Sequence, residues 1–309
     1  YSSGTHNVAL GYNALDAFTT GTQNVAIGYQ AGTDLTTGYY NAFMGYGAGA
    51  NITTGNGNIF IGWQAGTSKT TQSNNIGIGY RAGINDGGTM DVAIGYEAGA
   101  NTTGGNNISI GRSAGRGFNG VSEYGATTGA QNVSIGTYAG MYLLGSNTTN
   151  IGYQTGYYAT GSANTFVGKE AGKGGTTSAP YSSGQYNVAV GANALDGFTT
   201  GGNNVAIGYQ AGSALTTANH NVMIGIQAGE NTTTGGYSVI IGKDAGRYTY
   251  TASSLILIGY SAGEYIGQGN TGAQHSVVIG METGKYATGS YNTFIGSSAG
   301  KGGTTSAPY

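Results

Sequence analysis

Short apolar triplets alternate along the chain with longer polar, glycine-rich stretches on a nearly constant period. The motif N-V-A-I-G-Y-Q-A-G stands intact at residues 24–32 and again at 204–212. With its first glycine as an anchor, copies fall at Gly11, Gly28, Gly45, Gly62, Gly79, Gly95, Gly111, Gly136, Gly152, Gly168, Gly191, Gly208, Gly225, Gly242, Gly259, Gly280 and Gly296. These 17 copies are 16 or 17 residues apart, except at three gaps of 25, 23 and 21. The residue before each anchor is aliphatic or Met, as at Ile27, Ile61, Ile94 and Ile241. Two residues earlier stands Val or Ile in most copies, as at Val25, Ile59, Val133 and Val222. β-Branched residues two apart predict one short strand per copy.

A lone strand of this length cannot bury its apolar face, whereas stacked copies can. The pattern therefore predicts an all-β chain: a parallel β-solenoid (β-roll) of about 17 coils. The alternate Val and Ile residues are expected to face the interior. The middle position then faces outward and carries Ala26, Phe43, Phe60, Ala93, Phe166, Met223, Ile240, Leu257 and Phe294. Such an apolar stripe marks an interface between copies of the chain, the alternative being a solenoid wide enough to bury both strand faces within one chain.

Other columns carry their own chemistry. Four residues before the anchor stand Asn7, Asn24, Asn41, Asn58, Asn75, Asn187, Asn204 and Asn221. Identical stacked amides predict a hydrogen-bonded ladder. Three residues after the anchor comes Ala, except at Thr155 and Thr283, and then Gly, except at Leu15 and Leu195. The two glycines bracket a tight turn where a Cβ would clash or φ is positive. A Thr-Thr-Gly loop follows at residues 36–38 and 53–55.

A longer repeat lies above the short one. Tyr1-Ser2-Ser3-Gly4 recurs as Tyr181-Ser182-Ser183-Gly184, and residues 302–309 repeat 174–181, with Pro180 and Pro308 at equivalent places. The chain divides on this basis into a ten-coil unit, 1–180, and a seven-coil unit, 181–309, each ending in G-G-T-T-S-A-P-Y, and a longer parent array is expected. Insertions fall at about 116–131, 174–186 and 264–274; the middle one reads as the joint between units.

Composition narrows the function. The chain has 63 Gly, 25 Tyr, no Cys, 7% charged residues and a net charge of −2. Nothing in that charge would attract nucleic acid or an anionic membrane, and no segment is apolar enough to insert into a bilayer. No cofactor is implied. His6, His220 and His275 all lie five residues before an anchor, in distant coils, so they do not converge on a metal or a nucleophile. Glu97, Glu170, Asp244 and Glu282 lie two residues after an anchor, in an outward polar column shared with Gln30, Gln64, Arg81, Gln154 and Gln210. No two of these acids occupy consecutive coils, as a glycosidase pair would require. The strings at 168–174 and 296–302 lack the spacing of a phosphate-binding loop. Sequons such as Asn51-Ile52-Thr53 are expected by chance in so Asn- and Thr-rich a chain. Tyr12, Tyr29, Tyr46, Trp63, Tyr80 and Tyr96 follow their anchors directly. They read as a structural stack, and they are the candidate surface if a glycan binds.

The stretches at 7–12, 24–29, 91–96 and 204–209 resemble the head repeats of trimeric autotransporter adhesins of the YadA type. They resemble still more the N-x-A-[IV]-G-Y-x-A arrays of phage and bacterial tail-fibre-like proteins. The resemblance implies a left-handed β-roll assembled as a homotrimer. The period of 16–17 exceeds the roughly 14 of the adhesin heads, which favours the fibre-like arrays. The reading at this point is a non-enzymatic, extracellular fibre segment, on a cell surface or a virion, that partners itself and a host-surface glycan or protein. The alternatives are a monomeric solenoid binding ice or a glycan surface through regular Thr or Tyr rows and, behind it, a polysaccharide depolymerase.

Overall fold

A computed structural model describes residues 2–85, 87–117, 129–175, 181–251, 253–267 and 273–302. The insertions at 116–131 and 264–274, the joint at 174–186 and its copy at 302–309 lie partly or almost wholly outside these residues, as do both prolines. The described residues form 17 three-residue strands and no helix, giving a parallel β-solenoid of about 16 turns. Contacts divide it into two compact units, 1–153 and 154–309. The first holds the strands from β1 (Val8–Leu10) to β9 (Thr149–Ile151), and the second those from β10 (Thr165–Val167) to β17 (Thr293–Ile295).

Within each unit the register is that of the repeat. Val8, Val25, Ala42 and Ile59 stand in line in the first unit, and Thr165, Val188 and Val205 in the second. A strand with neighbours on both sides bonds in both directions: Gly28 N–H donates to Leu10 C=O at 2.8 Å, and Val25 N–H to Asn41 C=O at 2.8 Å. The anchor glycines explain the turn that follows. Gly62 has φ +133°, and a Cβ there would stand 2.4 Å from the carbonyl oxygen of Gly79 in the next coil. No side chain fits that approach.

The phase of the strands is the reverse of the expected one. The middle residue is buried in every strand except the first and the last, so Ala26, Phe43, Phe60, Phe166, Met223, Ile240 and Leu257 line the interior. The flanking Val and Ile residues face out. Three consecutive apolar residues satisfy a period of two in either phase, so periodicity alone cannot choose. Space chooses: the interior admits one strand residue per coil beside the Ala three after the anchor and one residue seven after it. That last column, Leu35, Ile52, Leu215 and Ile266, is fully buried and was hidden in the Thr-Thr-Gly loops.

Volumes in these columns compensate. A Cβ on Gly66 would meet the Phe60 ring at 2.6 Å, and one on Gly77 the same ring at 2.8 Å. Leu15 and Leu195 replace the turn glycine where the middle residues of their own and the next coil are both Ala: Ala9 and Ala26, Ala189 and Ala206. Both leucines accept a positive φ, 54° and 49°, and the apolar volume they add fills the space an aromatic ring fills elsewhere.

One buried pair in this interior is charged. Lys69 occupies the inner column beneath Ile52 and is 1% exposed. Its Nζ donates to Gly88 C=O at 2.8 Å and lies 3.9 Å from Asp91 Oδ2. Asp91, also buried, stands where other coils carry the ladder Asn, accepting from Asn107 N–H at 2.8 Å. Removing one member of a buried ion pair is costly, whereas replacing both with residues that fit is not. Lys69→Ile alone is expected to lower the unfolding free energy by about 3 kcal/mol. Lys69→Ile with Asp91→Asn restores the pattern of the neighbouring coils and should match or exceed the parent, as read by denaturant unfolding.

Candidate functional site

The outward strand face is the largest feature of the surface that packing within the chain leaves unexplained. Its two columns, one and three residues before each anchor, contain only aliphatic residues, Met and Thr, and no charge in any of the 17 copies. Ile59, Ile61, Ile108, Ile151, Ile207 and Ile256 are between 37% and 40% exposed. At about 4.8 Å per strand and 3.3 Å per residue, three residues across nine strands cover on the order of 400 Å² in the first unit. The eight strands of the second cover slightly less. Patches of this size rank with the largest found on monomeric proteins, where they are often functional.

Beside the face in the first unit runs the expected aromatic row. Tyr12, Tyr29, Tyr46, Trp63, Tyr80 and Tyr96 stack with centroids 5.2, 4.9, 5.9, 4.8 and 4.9 Å apart and planes within 14° of parallel. Arg112 closes the row, its guanidinium 5.8 Å from the Tyr96 ring centre. The rings thus cover one another's faces and show their edges. A sugar stacks on a face, so this geometry stabilises the coil edge rather than offering a glycan platform. The second unit has a different row, which sequence reading missed: Tyr248, Tyr265 and Tyr286, stacked at 4.8 and 5.1 Å.

The asparagine ladder forms and is buried. Asn41 Oδ1 accepts from the backbone N–H of Asn58 at 2.9 Å and from its Nδ2 at 3.1 Å; Asn41 Nδ2 donates to Asn24 Oδ1 at 3.1 Å and to Gly55 C=O at 2.9 Å. Asn7 and Asn75 continue it in the first unit, and Asn187, Asn204 and Asn221 build the same ladder in the second. Other residues extend it: Asn132 Oδ1 accepts from Thr148 N–H at 2.9 Å, and Ser238 Oγ from Leu255 N–H at 3.1 Å. The threonine rows are also held internally. Thr19, Thr36 and Thr53 hydroxyls each donate to a carbonyl of the next coil, at 2.9, 2.9 and 3.1 Å. They are therefore not a free hydroxyl lattice of the kind an ice surface would match.

The titratable groups lie on another edge. The histidine column is left-handed at φ 59°, 61° and 53°, and His220 and His275 stack on Tyr237 and Tyr291 at 5.0 and 5.1 Å. Among the described residues no three His, Cys, Asp or Glu side chains gather as a metal site would require. The acidic column is less outward than expected, because cations cover it. Glu97, buried, is held by Arg81 at 3.3 Å and Arg116 at 3.0 Å. Asp244, also buried, has Lys243 at 3.8 Å and Arg247 at 3.6 Å. Glu170 has Lys169 at 3.7 Å and Lys173 at 3.6 Å.

A chain of ion pairs closes the second unit: Glu264 to Lys285 at 2.8 Å, Lys285 to Glu282 at 3.8 Å, and Glu282 to Lys301 at 2.6 Å. The hydrogen bond from Lys301 holds the Glu282 carboxyl below the ordinary glutamate range. The hydrogen bond to Glu264 holds Lys285 above the ordinary lysine range. A lowered carboxyl pKa adds stability that is present above the unfolded value and lost as pH falls through the folded one. A raised lysine pKa adds stability present below the unfolded value and lost as pH rises through the folded one. Asp196, raised chiefly by burial, acts in the opposite sense and favours the fold on the acid side. Lys301→Gln is expected to return Glu282 toward the ordinary range, and so to lower stability near neutral pH and make its loss on acidification shallower; NMR titration of the labelled carboxyl checks this, and an unchanged midpoint contradicts it.

Among the described residues no helix is long and apolar enough to cross a membrane. No family model matches the chain, and no curated protein and no solved structure is significantly similar to it.

Proposed function

We propose that this chain is a structural segment of an extracellular fibre, on a bacterial surface or a virion, that packs against copies of itself along the outward strand face and acts as a spacer or attachment element without catalysis. The observation that carries the reading is the uncharged Val/Ile face repeated in every coil. A soluble monomer gains nothing from two aliphatic columns in water, whereas burying them contributes about 25 cal/mol per Å². The rest of the surface fits. The carboxylates two residues after the anchor are covered by cations, ring faces by rings, and threonine hydroxyls are bonded to the next coil, so these groups are engaged in holding the coils together. Three copies is the number implied by the adhesin-head repeats that the motif resembles.

Native mass of the full chain tests this. The expected result is a species of three chains. Ile61→Lys with Ile94→Lys, both on the outward face, should yield monomers with an unchanged β spectrum. A parent chain that is monomeric at micromolar concentration, or a variant that stays assembled, contradicts the reading.

A further inference from the structure

The inner column of the first unit changes character along its length. Its middle residues run Phe43, Phe60, Gly77 and Ala93, and then turn polar at Ser109, Ser134 and Asn150. All three polar residues are buried, at 3%, 1% and 1% exposure. The apolar cluster of Ala82, Ala93 and Ala98 ends where they begin. A small cavity opens there, with about 10 Å³ for the centre of a water-sized sphere, lined chiefly by Thr102, Asn107, Ser109, Asn132, Ser134 and Leu143.

The polar groups around the cavity are not equally committed. Asn107 Nδ2 donates to Gly104 C=O at 2.6 Å, and its Oδ1 accepts from Asn132 N–H at 3.1 Å. Asn132 Nδ2 donates to Gly145 C=O at 3.0 Å, and its Oδ1 accepts from Thr148 N–H at 2.9 Å. The Thr102 hydroxyl donates to Gly99 C=O at 3.2 Å. The Ser134 hydroxyl is fully buried and has no hydrogen-bond partner among the described residues. It points into the space left by the side-chain-free Gly140, whose Cβ would stand 2.6 Å away; Ser109 Oγ points likewise to Gly115, at 2.2 Å.

An orphaned buried hydroxyl costs about as much as a hydrogen bond lost in full. A polar cavity of roughly 10–15 Å³ with two or more partners holds a water molecule, whereas an apolar one of that size stays dry. We infer that the interior of the first unit carries one ordered water, bound to Ser134 Oγ and bridging toward Ser109. A hydroxyl can donate once and accept twice, so two serines accommodate a water in either orientation. The cavity is too small for any other ligand. The water completes the only stretch of described inner column in which three consecutive middle residues are polar.

Magnetic relaxation dispersion of ¹⁷O water on the full chain, with and without Ser134→Val, tests this. The expected result is one fewer long-lived water per chain in the variant. Ser134→Ala, the smaller change, separates the two cases by stability. With a bound water the substitution removes a satisfied hydroxyl, and the thermal midpoint falls. In a dry cavity it removes an orphaned one, and the midpoint rises. Equal dispersion amplitudes, or a raised midpoint in Ser134→Ala, overturns the inference.

Discussion

A buried asparagine amide in this chain meets its hydrogen-bonding needs only because the next coil carries another at the same place. Asn41 receives a backbone N–H and a side-chain N–H from Asn58, and gives its own to Asn24 and to the carbonyl of Gly55. Each amide thus ties three consecutive coils and closes the loop that leads into the next strand. Without it the strand would enter the stack with orphaned donors and acceptors in a site that water does not reach. The ladder also fixes register. A slip of one residue would put Val or Ile in the amide column and break every rung at once.

Register in turn decides what each face becomes. With Asn held inside, the next residue points out, the middle residue in, and the last one out before the anchor glycine turns the chain. The interior is narrow, so bulk at the middle position is balanced by Gly four residues past the anchor, and Ala at the middle position allows Leu15 or Leu195 there. The exterior inherits two aliphatic columns that the chain cannot cover by itself. The proposed association with further copies follows from the same constraint that builds the core. The Tyr, Thr and ion-pair rows complete the edges, where each group is satisfied by its equivalent one coil away.

Much of this was legible in the residues. The period, the one-strand coil, the glycine turn and the amide ladder follow from chemistry repeated at fixed offsets, and the ring stack of the first unit from its Tyr column. The strand phase was not legible from periodicity, because V-A-I reads the same from either side. The size variation at the middle position, from Gly77 to Phe60, was the available signal: an interior must be balanced coil by coil, an exterior need not. The inner column of Leu35, Ile52 and Leu215 was obscured because Thr232, Thr249 and Lys69 share it. The left-handed columns five before and two after the anchor also went unread, although neither contains a single β-branched residue, which is what a positive φ selects against. The compensating Lys69–Asp91 pair was invisible because its two members lie in different columns of adjacent coils.

The most direct test of the account is the stability of Asn41→Ala against Asn51→Ala, an exposed position ten residues further along the same coil, measured by equilibrium denaturation. The ladder account predicts a loss of about 3 kcal/mol for the first, from the orphaned N–H of Asn58 and C=O of Gly55, and within about 0.5 kcal/mol of no change for the second. Equal and small effects at both positions would show that the coils are held by side-chain packing alone, and that the buried amides do not set the stack.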